Sequence, residues 1–230
     1  ILNSISKDLD IAEWGIPHNC PTADGKDIQN SSYRALQNGI RLNDIFNLVK
    51  KFKKIKPSKP IILMGYYQMI FNCGEKKFIR KCKLSGVDGL IVVDLSFPDN
   101  KNFAKLCKKN SICFVQLIAP TTTVKRMREI IKNSHEMIYM ISTISTTGSA
   151  LKYSIKRIIK NYNVIKKIKP SKNVVIGFGI TEKTISNLRS ADGLVVGSAI
   201  CREITRSLKH RQNPVTNVSK LVRKLKNKII

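Results

Sequence analysis

The 230-residue chain carries 42 Lys and Arg against 15 Asp and Glu, a formal charge of +27 at neutral pH, and 42% of its residues are hydrophobic. Apolar residues spread along such a length exclude a wholly disordered, collagen-like or fibrous chain and suit one large domain or two small ones. Runs of the roughly 20 apolar residues needed to span a bilayer are missing, and the opening ILNSISKDLD has no signal-like apolar core, so membrane and secreted classes are not expected.

The chain begins in what reads as the second half of a helix, residues 1–9, and then alternates short β-branched runs with longer segments of helical spacing. Strands are predicted at 11–16, 60–66, 89–95, 113–118, 137–142, 174–179 and 193–197. Helices are predicted at 45–55, 75–85, 100–109, 124–133, 155–168, 182–189 and 215–228. This is the rhythm of βα units on a parallel sheet, and no linker-like or low-complexity break divides it, which predicts an α/β fold in a single domain over 1–230. Seven strands suit either a doubly wound sheet or a (β/α)8 TIM barrel lacking one strand.

The barrel is favoured by where the polar and glycine residues fall. Glu13, Asp24, Tyr66, Asp94, Thr147-Gly148, Gly177-Phe178-Gly179 and Gly197-Ser198 all lie at or just after predicted strand C-terminal ends. Barrel enzymes build their active sites on that face, with phosphate held after the last two strands. A barrel missing its first strand has open edges, so the sequence is expected to be truncated at its N-terminus, without the first strand and part of the first helix.

Six cysteines (Cys20, Cys73, Cys82, Cys107, Cys113, Cys201) form no C-x-x-C pair, and His18, His135 and His210 have no metal-ligand spacing. Neither a zinc site nor a disulfide framework is predicted, and most of the thiols read as small hydrophobes in a reducing compartment. The lysine-rich stretches 50–56, 166–169 and 220–228 read first as solvated surface. No aromatic-basic motif accompanies them, so a nucleic-acid partner is not expected, although the field would attract a phosphorylated substrate.

The densest run of unusual residues is Asp10 to Asn30. Glu13 stands inside an apolar strand, where an ionised carboxylate is costly and its pKa should rise. Asp24 follows in the Pro21-Thr22-Ala23-Asp24-Gly25 loop, which could bring a more solvated carboxylate to the same pocket. Two carboxylates in unlike environments suit acid–base chemistry, and a buried strand glutamate equally suits a plain ion-pair role.

The run Glu13-Trp14-Gly15-Ile16-Pro17, Ala23-Asp24-Gly25, Ile28-Gln29-Asn30, Leu63-Met64-Gly65-Tyr66-Tyr67, the segments 86–94 and 118–122, Thr147-Gly148, Gly177-Phe178-Gly179-Ile180 and the segment 191–200 resembles the tryptophan synthase alpha chain family, in unbroken order from about Ile1 to Ile204. The resemblance implies a (β/α)8 barrel lyase of tryptophan biosynthesis, cytoplasmic, that cleaves indole-3-glycerol phosphate to indole and glyceraldehyde 3-phosphate. By the same resemblance Glu13 is the proton-transferring glutamate, and Asp24 is the aspartate that holds the indole N–H. Thr147 lies in a loop that closes over substrate, and Gly148, Gly177, Phe178, Gly179, Gly197 and Ser198 hold the phosphate. Ile28, Met64, Ile91, Val93, Tyr139 and Phe178 belong to the indole pocket, although core roles suit the apolar ones as well.

The implied partner is a beta chain, in an α2β2 assembly, that carries pyridoxal phosphate; no cofactor and no metal are implied on this chain. Asn19, Cys20, Gln68 and Ser145 depart from the family pattern, in a region that faces the beta subunit and in the closing loop. A stand-alone lyase, or a weakened alpha subunit that acts chiefly by activating its partner, are the alternatives those departures leave.

Overall fold

A computed structural model of the chain describes residues 1–142 and 155–229. After a short helix α1 (Leu2–Ile5), strand β1 (Ala12–Gly15) is followed by α2 (Lys26–Gln37) and α3 (Leu42–Ile55), then β2 (Ile61–Gly65), α4 (Tyr67–Cys73) and α5 (Glu75–Ser85). Next come β3 (Gly89–Val92), α6 (Lys101–Lys109), the two short strands β4 (Cys113–Phe114) and β5 (Gln116–Ile118), α7 (Val124–Asn133) and β6 (Met137–Ile141). The second half ends with α8 (Ile155–Ile168), β7 (Asn173–Gly177), a 3-10 turn (Ile185–Leu188), β8 (Gly193–Leu194), α9 (Ser198–Lys209) and α10 (Pro214–Lys226).

Every ladder is parallel, in the orders β1-β2-β3-β4 and β5-β6-β7-β8. The predicted strand 113–118 is split at Val115, whose N–H still donates to Leu90 O at 2.9 Å, while the residues beyond it pair with β6. Among the described residues no ladder joins β8 to β1.

Period-two alternation divides the strands between two cores. Ile61 and Leu63 of β2, and Leu90 and Val92 of β3, face an outer layer with Phe46, Val49, Phe52, Phe78 and Ile79 of α3 and α5. Their alternates Ile62 and Ile91 turn inward with Val115 and Tyr139, and Met64, Val93, Leu117, Ile141, Val175 and Val195 pack on that inner cluster. Strands from both sheets therefore wrap one interior, with helices outside, as in a TIM barrel. In β1 the same alternation sends Ala12 and Trp14 outward, and Glu13, in register with Ile62, faces the barrel interior.

Local chemistry sets the element ends. Helix α5 stops at Gly86, whose φ of 85° is the left-handed cap that glycine adopts at least cost. Asn213 caps α10 by accepting from Val215 N–H at 2.9 Å, with Pro214 at its first position.

The predicted helix at 182–189 is only the 3-10 turn, because the Thr184 hydroxyl accepts from Thr181 N–H at 3.0 Å and donates to Gly179 O at 3.1 Å, bonds that compete with a helical ladder. Helices α2, α4 and α9 were not predicted as helices. The polar α2 buries no residue and is held from outside, by Arg202 of α9 donating to Asp27 at 2.7 Å and Arg34 donating to Thr205 at 3.3 Å.

Candidate active site

The loop after β1 returns to the barrel mouth and sets Asp24 there, 8% exposed, beside the inward-facing Glu13. Burial in the apolar interior, and secondarily the charge of Asp24, push the Glu13 carboxyl up to about 7. Near neutral pH it is therefore poised to give or take a proton. Tyr66, at the C-terminal end of β2, donates its hydroxyl hydrogen to Asp24 Oδ2 at 3.1 Å and accepts the Ala23 N–H at 3.0 Å. Burial raises the pKa of Asp24 too, with the Tyr66 hydrogen bond and the neighbouring His18 working against the rise. Two carboxylates thus share the pocket, one in an apolar wall and one held by a hydroxyl.

Tyr139 lies beside Glu13, and burial together with that neighbouring charge holds its phenol protonated. Its ring meets Phe178 edge-on at 6.1 Å. A Cβ on Gly177 would occupy the space of the Tyr139 phenol, so glycine is required there by close approach. The next two residues, Phe178 and Gly179, have φ of 69° and 65°, and Ser142 braces the turn by donating its hydroxyl to Phe178 O. For Phe178 this left-handed backbone is an unusual conformation.

Gly197 precedes α9 as its N-cap, and among the described residues no side chain caps that helix. The Ile200 and Cys201 amides donate back to Gly197 O at 2.9 and 3.1 Å, which leaves the Ser198 and Ala199 amides at the open helix start. A Cβ on Gly197 would meet nothing nearer than Ile28 Cδ1 at 4.0 Å. A turn after β7 and an uncapped helix start after β8 are each the kind of backbone that offers N–H groups to a phosphate.

The family model described as "Tryptophan synthase alpha chain" matches residues 1–230. The chain is 62% identical over 229 residues to the tryptophan synthase alpha chain of Pelagibacter ubique (strain HTCC1062), covering 100% of this chain and 86% of that one. The chain belongs to the tryptophan synthase alpha chain family. A Thermococcus kodakarensis alpha chain is 39% identical over 94% of this chain and 84% of its own length. The crystal structure of tryptophan synthase subunit alpha from Legionella pneumophila str. Paris superposes with a TM-score of 0.89 at 28% identity, covering 99% of this chain and 85% of that one. The alpha subunit in a structure of the Pyrococcus furiosus tryptophan synthase α2β2 complex, described in terms of mutual activation, gives a TM-score of 0.86 at 34% identity, with 97% and 89% covered.

For this alpha chain family member, the pocket residues named from sequence meet in one place: Ile91 and Tyr139 in the inner cluster, with Met64, Val93 and Phe178 packed on it. Ile28 stands apart, on α2 against Gly197. Ser145, Thr147 and Gly148 lie outside the described residues.

His18 is a site neighbour that sequence reasoning considers only as a metal ligand, and Gln68, named as a departure on the side facing the beta subunit, lies against it with Oε1 at 3.3 Å from Nε2. The place of His18 between two prolines, six residues before Asp24, was the available signal. Folding also gathers Cys113, His135 and Glu136, with donor atoms within 4.8 Å of one another. That trio is already engaged: His135 Nδ1 accepts Phe114 N–H at 2.9 Å, burial pushes the Cys113 thiol up to about 11, and the Lys172 ammonium donates to Ser134 O at 2.9 Å and to His135 O. Such a set favours a structural knot over a cation.

Proposed function

We propose that the chain cleaves indole-3-glycerol phosphate to indole and glyceraldehyde 3-phosphate by a retro-aldol reaction, and that it delivers indole to a beta chain. The observation that carries this reading is the inward-facing Glu13, held at about 7 by burial and set beside a hydroxyl-held Asp24. Family membership, the turn at Gly179 and the open helix start at Gly197 and Ser198 support it.

The indole ring would lie among Met64, Ile91, Val93 and Phe178, with its phosphate at the start of α9. Protonated Glu13 gives its proton to indole C3, and ionised Asp24 accepts the ring N–H and stabilises the positive charge that develops there. The Glu13 carboxylate then takes the proton of the side-chain hydroxyl on the carbon bonded to C3. The C–O bond becomes a carbonyl, the electrons of the carbon–carbon bond return to C3, and neutral indole and the aldehyde separate. The proton balance closes on Glu13 alone, so this chain is read as using no cofactor of its own, with pyridoxal phosphate on the beta partner.

No described helix is long and apolar enough to cross a membrane, which accords with a proposed cytoplasmic site of action. The proposed beta partner rests on family membership, and α4, where Gln68 departs from the family pattern, lies in the region expected to face it.

The test is indole release from indole-3-glycerol phosphate, measured with and without a cognate beta chain, in wild type and Glu13→Gln. Slow release alone, faster release with the beta chain and a loss of at least about 100-fold in the variant are expected. Equal rates with and without the beta chain would favour a stand-alone lyase. No indole from a folded wild type in either condition would sink the lyase reading.

A further inference from the structure

Three buried side chains line up behind the site. His18 and Asp24 are each 8% exposed and Tyr66 is 6% exposed. The His18 ring lies 4.6 Å from the Tyr66 ring at an interplanar angle of 34°, a near-stacked contact. The imidazole is itself clamped at both nitrogens. Cys20 N–H donates to Nδ1 at 3.0 Å, which requires a bare Nδ1 and leaves the hydrogen on Nε2, facing Gln68 Oε1 at 3.3 Å. On the far side of the stack, the Tyr66 hydroxyl is fixed between Ala23 N–H and Asp24 Oδ2.

We propose that His18 is a positioning residue for Asp24: held between the Cys20 amide and the Gln68 side chain, its ring braces Tyr66, and Tyr66 aims the Asp24 carboxylate. This rests on the function proposed above only for its catalytic consequence. A phenol whose ring can rock moves its hydroxyl, and a misplaced hydrogen bond to the carboxylate weakens the group where charge develops in the reaction. Because Gln68 sits on α4 next to the exposed face that carries Phe71, the brace also ties that face to the site. Glu13 and Asp94 are the other acidic groups whose charges reach this assembly, Glu13 coupled to Asp24 and Asp94 to Tyr66.

The test pairs two readouts on folded protein. In steady-state cleavage, His18→Ala is expected to lower kcat about tenfold while KM for indole-3-glycerol phosphate stays within about twofold, since the proposed phosphate site is untouched. His18→Phe keeps a ring against Tyr66 and should restore kcat to within about threefold of wild type. In a Tyr66→Phe background His18→Ala should have almost no further effect, because the brace has nothing left to aim.

The second readout needs no turnover. Carbon-13 NMR titration of the Asp24 carboxyl is expected to move upward by about half a pH unit or more in His18→Ala and to return most of the way in His18→Phe, which restores the ring against Tyr66 but not the direct electrostatic effect of the imidazole on Asp24; a shift that stays in His18→Phe would overturn the brace. Gln68→Ala, an exposed substitution, should shift it the same way by less. An unchanged kcat in His18→Ala, an equal loss in the Tyr66→Phe background, or an Asp24 titration unmoved by both His18→Ala and Gln68→Ala would overturn the proposal. A wild type that releases no indole would sink the lyase reading, and the titration would still decide the brace.

Discussion

Glu13 shows how one inward-facing side chain couples catalysis to stability. Its carboxyl stands near 7 in the folded protein against an ordinary value of 4.5, so as pH rises the unfolded chain releases this proton first. The stability associated with a protonated Glu13 is therefore full below about pH 4.5 and is lost as pH rises through about 7. Glu13→Gln buries no charge, so it should be more stable than wild type by about 2 kcal/mol near pH 8.5 and equal to it near pH 4, as read by urea denaturation at both. The same proton sets the rate: kcat/KM should fall above about pH 7 as Glu13 ionises. On the acid side it should fall below a pKa higher than an ordinary aspartate's, because burial raises that of Asp24, which must be ionised to hold the indole N–H. A flat profile between about pH 5 and 9 would remove Glu13 from proton transfer.

At the scale of elements, the two halves of the barrel repeat one device. Asp88, one residue before β3, accepts Ile61 N–H at 2.7 Å and pairs with Lys53 of α3 at 2.7 Å. Asp192, one residue before β8, accepts Val174 N–H at 2.8 Å and pairs with Lys166 of α8 at 2.9 Å, with the Tyr162 hydroxyl donating to its other oxygen at 3.1 Å. Each aspartate ties a strand start to the neighbouring strand and to the helix that precedes that strand. At Asp192 desolvation raises the pKa, but hydrogen bonds from Lys166, Val174 and Tyr162 outweigh it and hold the carboxyl below its ordinary value. Its contribution is thus present above the ordinary carboxylate range and lost as pH falls through the depressed folded value. Asp192→Asn should cost about 1 to 2 kcal/mol at neutral pH, with most of that cost gone by about pH 2, measured by urea midpoints. A cost that persists in acid would mean that the side chain acts through shape alone.

For the whole molecule, the charge of +27 sits on a barrel whose proposed substrate is a phosphate ester. Among the described residues the ion pairs lie in outer layers, and basic residues outnumber acidic ones nearly threefold along the chain, so the carboxylates are too few to pair with most of the lysines. Surface charge of this kind adds little to stability and much to encounter. The expected result is a kcat/KM for indole-3-glycerol phosphate that falls at least about threefold as salt rises from about 0.02 to 0.3 M, with kcat unchanged. A salt-independent kcat/KM would return the lysines to the role of solvated surface.

Local sequence patterns set the alternation of strand and helix and the parallel α/β class, through β-branched runs, helical spacing and glycines at turns. Glu13, Asp24 and the turns at Gly177 and Gly197 are singled out as functional by resemblance to the alpha chain family, since a carboxylate inside an apolar strand suits an ion pair as well. Only the tertiary structure decided what the carboxylates meet. The Glu13 value near 7 comes from burial in the barrel interior, the fit of Gly177 from a phenol on another strand, and the hold on Asp24 from Tyr66, 42 residues along the chain. Helix α2 formed for the same reason, against α9, with a bond from Arg34 to a residue 171 positions away. Hydrogen bonds and burial act over ångströms in space, and no spacing along the chain encodes which distant side chain will supply them.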